Sequence, residues 1–134
     1  MIGQPAVVLS LDGDQRVFRP GELLRGSYGL GSLKSSDVRA TELSVLWYTV
    51  GKGDEDLAVH YFERTMPHSA DPVDLRAPRR FETRLPNSPL SYAGVIIKIR
   101  WCVRLRVFPF RGRELVLEEF FQLGEVPEGQ LVSV

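Results

Sequence analysis

Cysteine, histidine and methionine are scarce in this sequence: one Cys, two His and two Met in 134 residues. A lone Cys102 excludes an internal disulfide framework and suits a reducing compartment. An excess of charge of one sign is also missing, because 17 basic side chains balance 17 acidic ones. A neutral chain is poorly suited to generic nucleic-acid binding, which needs a net-positive face to displace counterions. The first residues, Met1 to Pro5, carry no basic segment and lead into no long apolar run. Neither a secretory signal nor a membrane span is therefore expected, and the expected location is cytoplasmic. Helical periodicity is absent too, and no capping box precedes an apolar run.

What is present is a strong period of two. Hydrophobic residues make up 43% of the chain, enough for one domain over residues 1–134 to build a core without staples. From Val95 to Val107 the odd positions read Val, Ile, Ile, Trp, Val, Leu, Val, and the even ones include Lys98, Arg100, Cys102, Arg104 and Arg106. Successive strand side chains point to opposite faces, so this segment reads as a long strand with one buried and one wet face. Thr41–Val50 alternates as well, but both of its faces are apolar. Shorter strands are expected at Ala6–Leu11, Glu22–Leu30, Ala58–Thr65, Arg79–Leu85 and Arg113–Leu123.

Turn chemistry separates them at Asp12-Gly13-Asp14, Arg19-Pro20-Gly21, Gly51-Lys52-Gly53-Asp54 and Phe110-Arg111-Gly112. The irregular piece Met66–Pro78, with its three prolines, is a loop or crossover with a helical turn near Val73–Leu75. Seven or eight evenly spaced strands predict an all-β, immunoglobulin-like antiparallel β-sandwich. For the last two strands the register follows from the pattern. Pairing residues whose numbers sum to 222 sets Trp101 against Phe121, Leu105 against Leu117 and Arg104 against Glu118, whereas a one-residue slip would invert every side chain.

Two segments resemble a known family. Phe18-Arg19-Pro20-Gly21-Glu22-Leu23-Leu24-Arg25-Gly26 is similar to the arrestin-type opening of an early strand, an aromatic followed by Pro-Gly-Glu, an apolar pair and Gly. Leu85-Pro86-Asn87-Ser88-Pro89-Leu90-Ser91-Tyr92-Ala93-Gly94, with Ile99-Arg100-Trp101-Cys102-Val103 after it, resembles a stretch late in arrestin-like amino-terminal domains. That stretch is also found in arrestin-domain-containing proteins and bacterial sporulation-control relatives. The resemblance implies a sandwich of arrestin amino-terminal type with an adaptor-like role. It does not extend to a second sandwich or to a cationic first strand, since no Lys or Arg precedes Arg16. Local physics agrees with the motifs. Pro20-Gly21 suits a tight turn, and Gly26 within a strand predicts a bulge or a close backbone approach.

No catalytic constellation is visible. His60 and His68 lie in no metal-ligand spacing, Cys102 sits on a strand away from any helix N-terminus, and no Gly-x-Ser-x-Gly elbow or phosphate-binding loop occurs. Asp54, Glu55 and Asp56 read as a solvated turn, because the ligand spacing of a calcium loop is lacking. The chain is expected to be non-enzymatic, with no cofactor and no metal.

The candidate protein-binding residues are Lys98, Arg100, Arg104 and Arg106, spaced about 6.5–7 Å apart along one strand face, together with Phe108 and Phe120. As a functional strip the cations would grip an acidic or phosphorylated partner. As a solvated face they would be neutralised by Glu118, Glu42 or Glu82 on neighbouring strands. The apolar members would mark contact with another protein. The expected function is a protein-interaction, adaptor or scaffold module using a sheet face or an edge strand, with self-association possible. The alternatives are an accessory subunit of a larger assembly or a small-ligand or carbohydrate-binding sandwich, the latter needing exposed Trp47, Tyr48 or Trp101.

Overall fold

The structure, a computed structural model, describes residues 4–124 apart from Asp14 and Asp54. These two expected turn residues, and the ends of the expected 1–134 domain, lie outside the described residues. The strands are β1 (Val7–Leu11), β2 (Val17–Phe18), β3 (Leu23–Leu30), β4 (Val38–Gly51), β5 (Leu57–Thr65), β6 (Arg79–Arg84), β7 (Tyr92–Ala93), β8 (Ile97–Pro109) and β9 (Leu115–Leu123). Among the described residues one 3₁₀ turn, Ser35–Asp37, precedes β4.

One sheet has the order β1-β3-β6; the other runs β2-β9-β8-β4-β5, with β7 beside the start of β8. All pairings are antiparallel except β2 with β9. Two layers packed face to face bury the inward alternate side chains of each, which is the expected sandwich. The β8–β9 register matches the expectation at every pair, from Trp101 with Phe121 to Val107 with Leu115.

The core lies between the sheets. Val7, Leu9, Leu11, Leu24, Tyr28 and Phe81 of the small sheet meet Leu43, Val45, Trp101, Val103, Leu105, Val107 and Phe121 of the large one. Burying a side chain of this size contributes about 1.5–3 kcal/mol. Tyr28 also crosses the gap with its hydroxyl, 2.8 Å from the Thr41 hydroxyl, so both buried oxygens are satisfied. Gly26 marks a close approach and not a bulge: a Cβ there would lie 2.5 Å from both Phe81 Cζ and the Ser10 carbonyl oxygen. Gly21 takes φ +82 in the turn after Pro20, as that turn demands.

Four expectations need correction. The long strand begins at Ile97, and Val95 and Ile97 are exposed, so the buried odd-numbered row covers only Trp101 to Val107. Its even face is not uniformly wet, since Cys102 and its β4 partner Leu46 are buried between flanking longer side chains. No helical turn forms at Val73–Leu75. Instead, Leu75 leaves the loop to enter the core, a plug that one apolar residue among prolines does not announce. Finally, nine strands form among the described residues where seven or eight were expected, because β2 and β7, two residues each, are too short to show a period.

Candidate functional site

The outer face of the large sheet carries all six predicted binding residues. Strand alternation puts Lys98, Arg100, Arg104, Arg106 and Phe108 of β8 on that face, and the β9 register brings Phe120 opposite Cys102. On the other side Val50, Tyr48, Ser44 and Glu42 of β4 face Lys98, Arg100, Arg104 and Arg106 in turn.

The cationic strip divides in two. Arg104 Nε donates to Glu118 Oε2 at 2.6 Å. Arg106 binds Glu114 through two hydrogen bonds of 2.7 and 3.0 Å, with Glu42 3.8 Å away. The Arg106 guanidinium accordingly holds the Glu114 carboxyl below its ordinary range. Of the three acids expected to neutralise the strip, Glu118 and Glu42 do so, whereas Glu82 sits in the small sheet and pairs with Arg25. Lys98 and Arg100 differ: among the described residues, no carboxylate lies within 4 Å of either.

Phe108 and Phe120 are both half-buried beneath guanidinium groups. Arg106 and Arg39 lie 5.0 and 5.7 Å from the Phe108 ring, and Arg100 lies 4.3 Å from the Phe120 ring. A cation on an aromatic face is held there by the ring quadrupole. Arg100 is thus positioned by Phe120, while its donors stay available to a ligand.

Next to this pair is a groove of about 510 Å³ between β2 and β7, with Arg16, Lys98 and Arg100 among its lining residues. Val17, Tyr92, Ile99, Phe120 and Gln122 are among the other residues of the wall. Three cations on a partly apolar cleft make an anion-selective environment with room for carbon chains. Arg16 and Tyr92 escaped the sequence reading because each accompanies a two-residue strand; the cation before Val17 was the only signal.

The remaining chemically capable side chains are otherwise engaged. His60 occupies a β-bulge, the extra residue of β5 between the pairs Val45–Tyr61 and Leu46–Val59. Its Nε2 donates to the Arg84 carbonyl at 2.7 Å. His68 donates to the Ser35 carbonyl at 2.9 Å. Burial pushes the Cys102 thiol up to about 12, with the nearby Glu118 charge adding to it. No group of three or more His, Cys, Asp or Glu able to hold a metal ion occurs among the described residues. Trp101 is 1% exposed, so its indole is core and offers no sugar-stacking platform.

In fold the chain is an all-β sandwich of arrestin-like type. Among solved structures, Spo0M, a sporulation control protein from Bacillus subtilis, is similar to this chain with a TM-score of 0.60 and 16% sequence identity. The match covers 93% of this chain and 51% of that one, so the chain spans about half the length of its structural relative. No family model and no curated protein matches the sequence. No helix among the described residues is long and apolar enough to cross a membrane.

Proposed function

We propose that this chain is a non-enzymatic interaction module of the cytoplasm, an adaptor or scaffold that binds an extended acidic segment of another protein in the Arg16–Lys98–Arg100 groove. The carrying observation is the uneven pairing of the strip. Carboxylates take up Arg104 and Arg106, while among the described residues Lys98 and Arg100 have no carboxylate partner beside a partly apolar wall. A charge left unpaired on the protein side gains its partner on binding, giving both orientation and a salt-sensitive association rate. The relationship to Spo0M, a control protein, agrees with a regulatory role, although fold alone does not assign one.

A second reading uses β5, the edge of the large sheet, where Leu57, Val59 and Phe62 are all about half exposed. An added strand could pair there, although the bulge at His60 interrupts the template.

The test is fluorescence anisotropy with a labelled, roughly ten-residue Asp/Glu-rich peptide containing one Leu, alongside its Lys-substituted counterpart. The acidic peptide should bind and the basic one should not. Arg100→Glu combined with Lys98→Glu should weaken binding about tenfold or more, and salt should weaken it progressively. Equal binding of both peptides, or an affinity unmoved by the double reversal, would sink the groove as the site.

A further inference from the structure

The β7–β8 hairpin breaks a local rule. The Gly94 N–H donates to the Ile97 carbonyl at 3.0 Å, closing a two-residue turn made of Val95 and Ile96. Two-residue hairpin loops most often take primed turns with Asn, Asp or Gly at positive φ, whereas neither Val95 nor Ile96 has a positive φ. Here both positions hold β-branched aliphatic residues, 89% and 70% exposed. They add nothing to the core and place apolar surface in water. Where a sequence violates its local preference without a gain inside the fold, the position is a candidate for function.

The tip is also held firmly. The Lys52 N–H of the neighbouring hairpin donates to the Ile96 carbonyl at 3.3 Å, and Gly51 allows the two backbones to touch. The Tyr92 ring lies across Gly94, where a Cβ would come within 2.5 Å of its Cε2. Around this apolar point are the exposed Lys52 and Lys98, with Tyr92 partly exposed beside them. The acidic run nearest in sequence is Asp54 to Asp56; Asp54 lies outside the described residues, and Glu55 and Asp56 line a separate pocket with Tyr48, Leu57 and Arg104.

We infer that this hairpin tip docks the protein on an anionic lipid surface. Val95 and Ile96 enter the boundary of the acyl chains, Tyr92 sits at headgroup depth, and Lys98 and Lys52 meet the lipid phosphates. The chemistry favours a bilayer over a protein pocket. Protein hot spots rely on Trp, Tyr and Arg anchors seated in shaped cavities. A convex pair of aliphatic side chains needs only a fluid apolar layer, and a flanking ring of cations with a Tyr is the pattern of interfacial anchoring. The tip and the groove share Lys98, so membrane docking would present the groove close to the lipid surface. The inference does not depend on the groove binding a peptide.

Co-sedimentation with phosphatidylcholine vesicles containing about 30% phosphatidylserine, and with pure phosphatidylcholine vesicles, tests this. The chain should partition onto the anionic vesicles and only weakly onto the neutral ones. Val95→Asp with Ile96→Asp, at exposed positions that leave the core intact, should abolish sedimentation while the circular dichroism spectrum stays unchanged. Lys52→Gln with Lys98→Gln should reduce partitioning by about fivefold per charge. No partitioning of the wild-type chain, or partitioning untouched by the two aspartates, overturns the inference. So does a concentration-dependent dimer that the same aspartates dissolve in the absence of vesicle binding, which would assign the tip to a second copy.

Discussion

Truncating Trp101 tests the packing on which every placement of the outer face depends. The indole is enclosed between the sheets, its ring centroid 5.9 Å from Phe121 and 6.2 Å from His60. Its Nε1–H donates to the Pro89 carbonyl at 2.8 Å, tying β8 to the proline-bearing segment before β7. Trp101→Ala removes a large buried side chain and leaves a cavity, which costs about 3–5 kcal/mol. Trp101→Phe keeps most of the apolar volume but leaves the Pro89 carbonyl without its donor, costing about 1–3 kcal/mol. Urea unfolding followed by circular dichroism gives both values, provided the m-value is unchanged. For a chain of this size the Ala variant should also lower Tm by on the order of 10–20 °C. A loss below about 1 kcal/mol for Trp101→Ala would refute the enclosed position of the indole, and with it the inward assignment of the odd-numbered row. Equal losses for Phe and Ala would instead show that the hydrogen bond dominates and the packing contributes little.

Acid should expose the contribution of the ion pair between the small-sheet strand β6 and the β1 end. The Arg80 hydrogen bond holds the Asp12 carboxyl below its ordinary value, so this pair supports folding above the unfolded carboxylate pKa. The support is lost as pH falls through the lower folded value. Arg80→Ala should therefore flatten the acid limb of a Tm-versus-pH curve, and an identical limb in both proteins would disprove the assignment. The Cys102 thiol, buried and raised to about 12, should resist a disulfide reagent at pH 8 until the chain is unfolded in guanidinium. Rapid labelling of the native protein would show that the outer face is open at its centre.

The sandwich was legible because strand alternation is strict where one face is dry. In β8 and β9 the apolar residues at odd positions could pair in only one register without turning Leu105, Leu117 and Phe121 to solvent. The same logic failed in β4, where Leu46 is apolar yet faces outward. Its strand neighbours, Val59 on β5 and Cys102 on β8, are set by the pairing, which no local pattern encodes. The bulge at His60 likewise shifts the β5 alternation by one residue, so Tyr61 and Glu63 turn inward while Val59 and Phe62 turn outward. Leu75 was hidden for a related reason: a single core residue supplied by a loop has no period to reveal it.

The site was legible in kind but not in extent, and the cause lies in how charge is distributed. A balance of 17 against 17 counts against a basic binding surface only if the two signs are evenly mixed. In the folded chain the carboxylates are taken up locally: Asp12 by Arg80, Glu82 by Arg25, Glu42 by Arg64, Glu118 by Arg104 and Glu114 by Arg106. Each pair is partly exposed and contributes little to stability. Their larger effect is on the field, because every acid engaged along β1, β4, β6 and β9 is absent from the end of the sheet where β2, β7 and the start of β8 meet. Arg16, Lys98 and Arg100 gather there, and the same end carries Val95 and Ile96. Neutral composition therefore coexists with a cationic, apolar-tipped end. Its location depends on the register that sets Glu118 and Glu114 beside Arg104 and Arg106 and, among the described residues, pairs β8 with no acidic residue before Trp101.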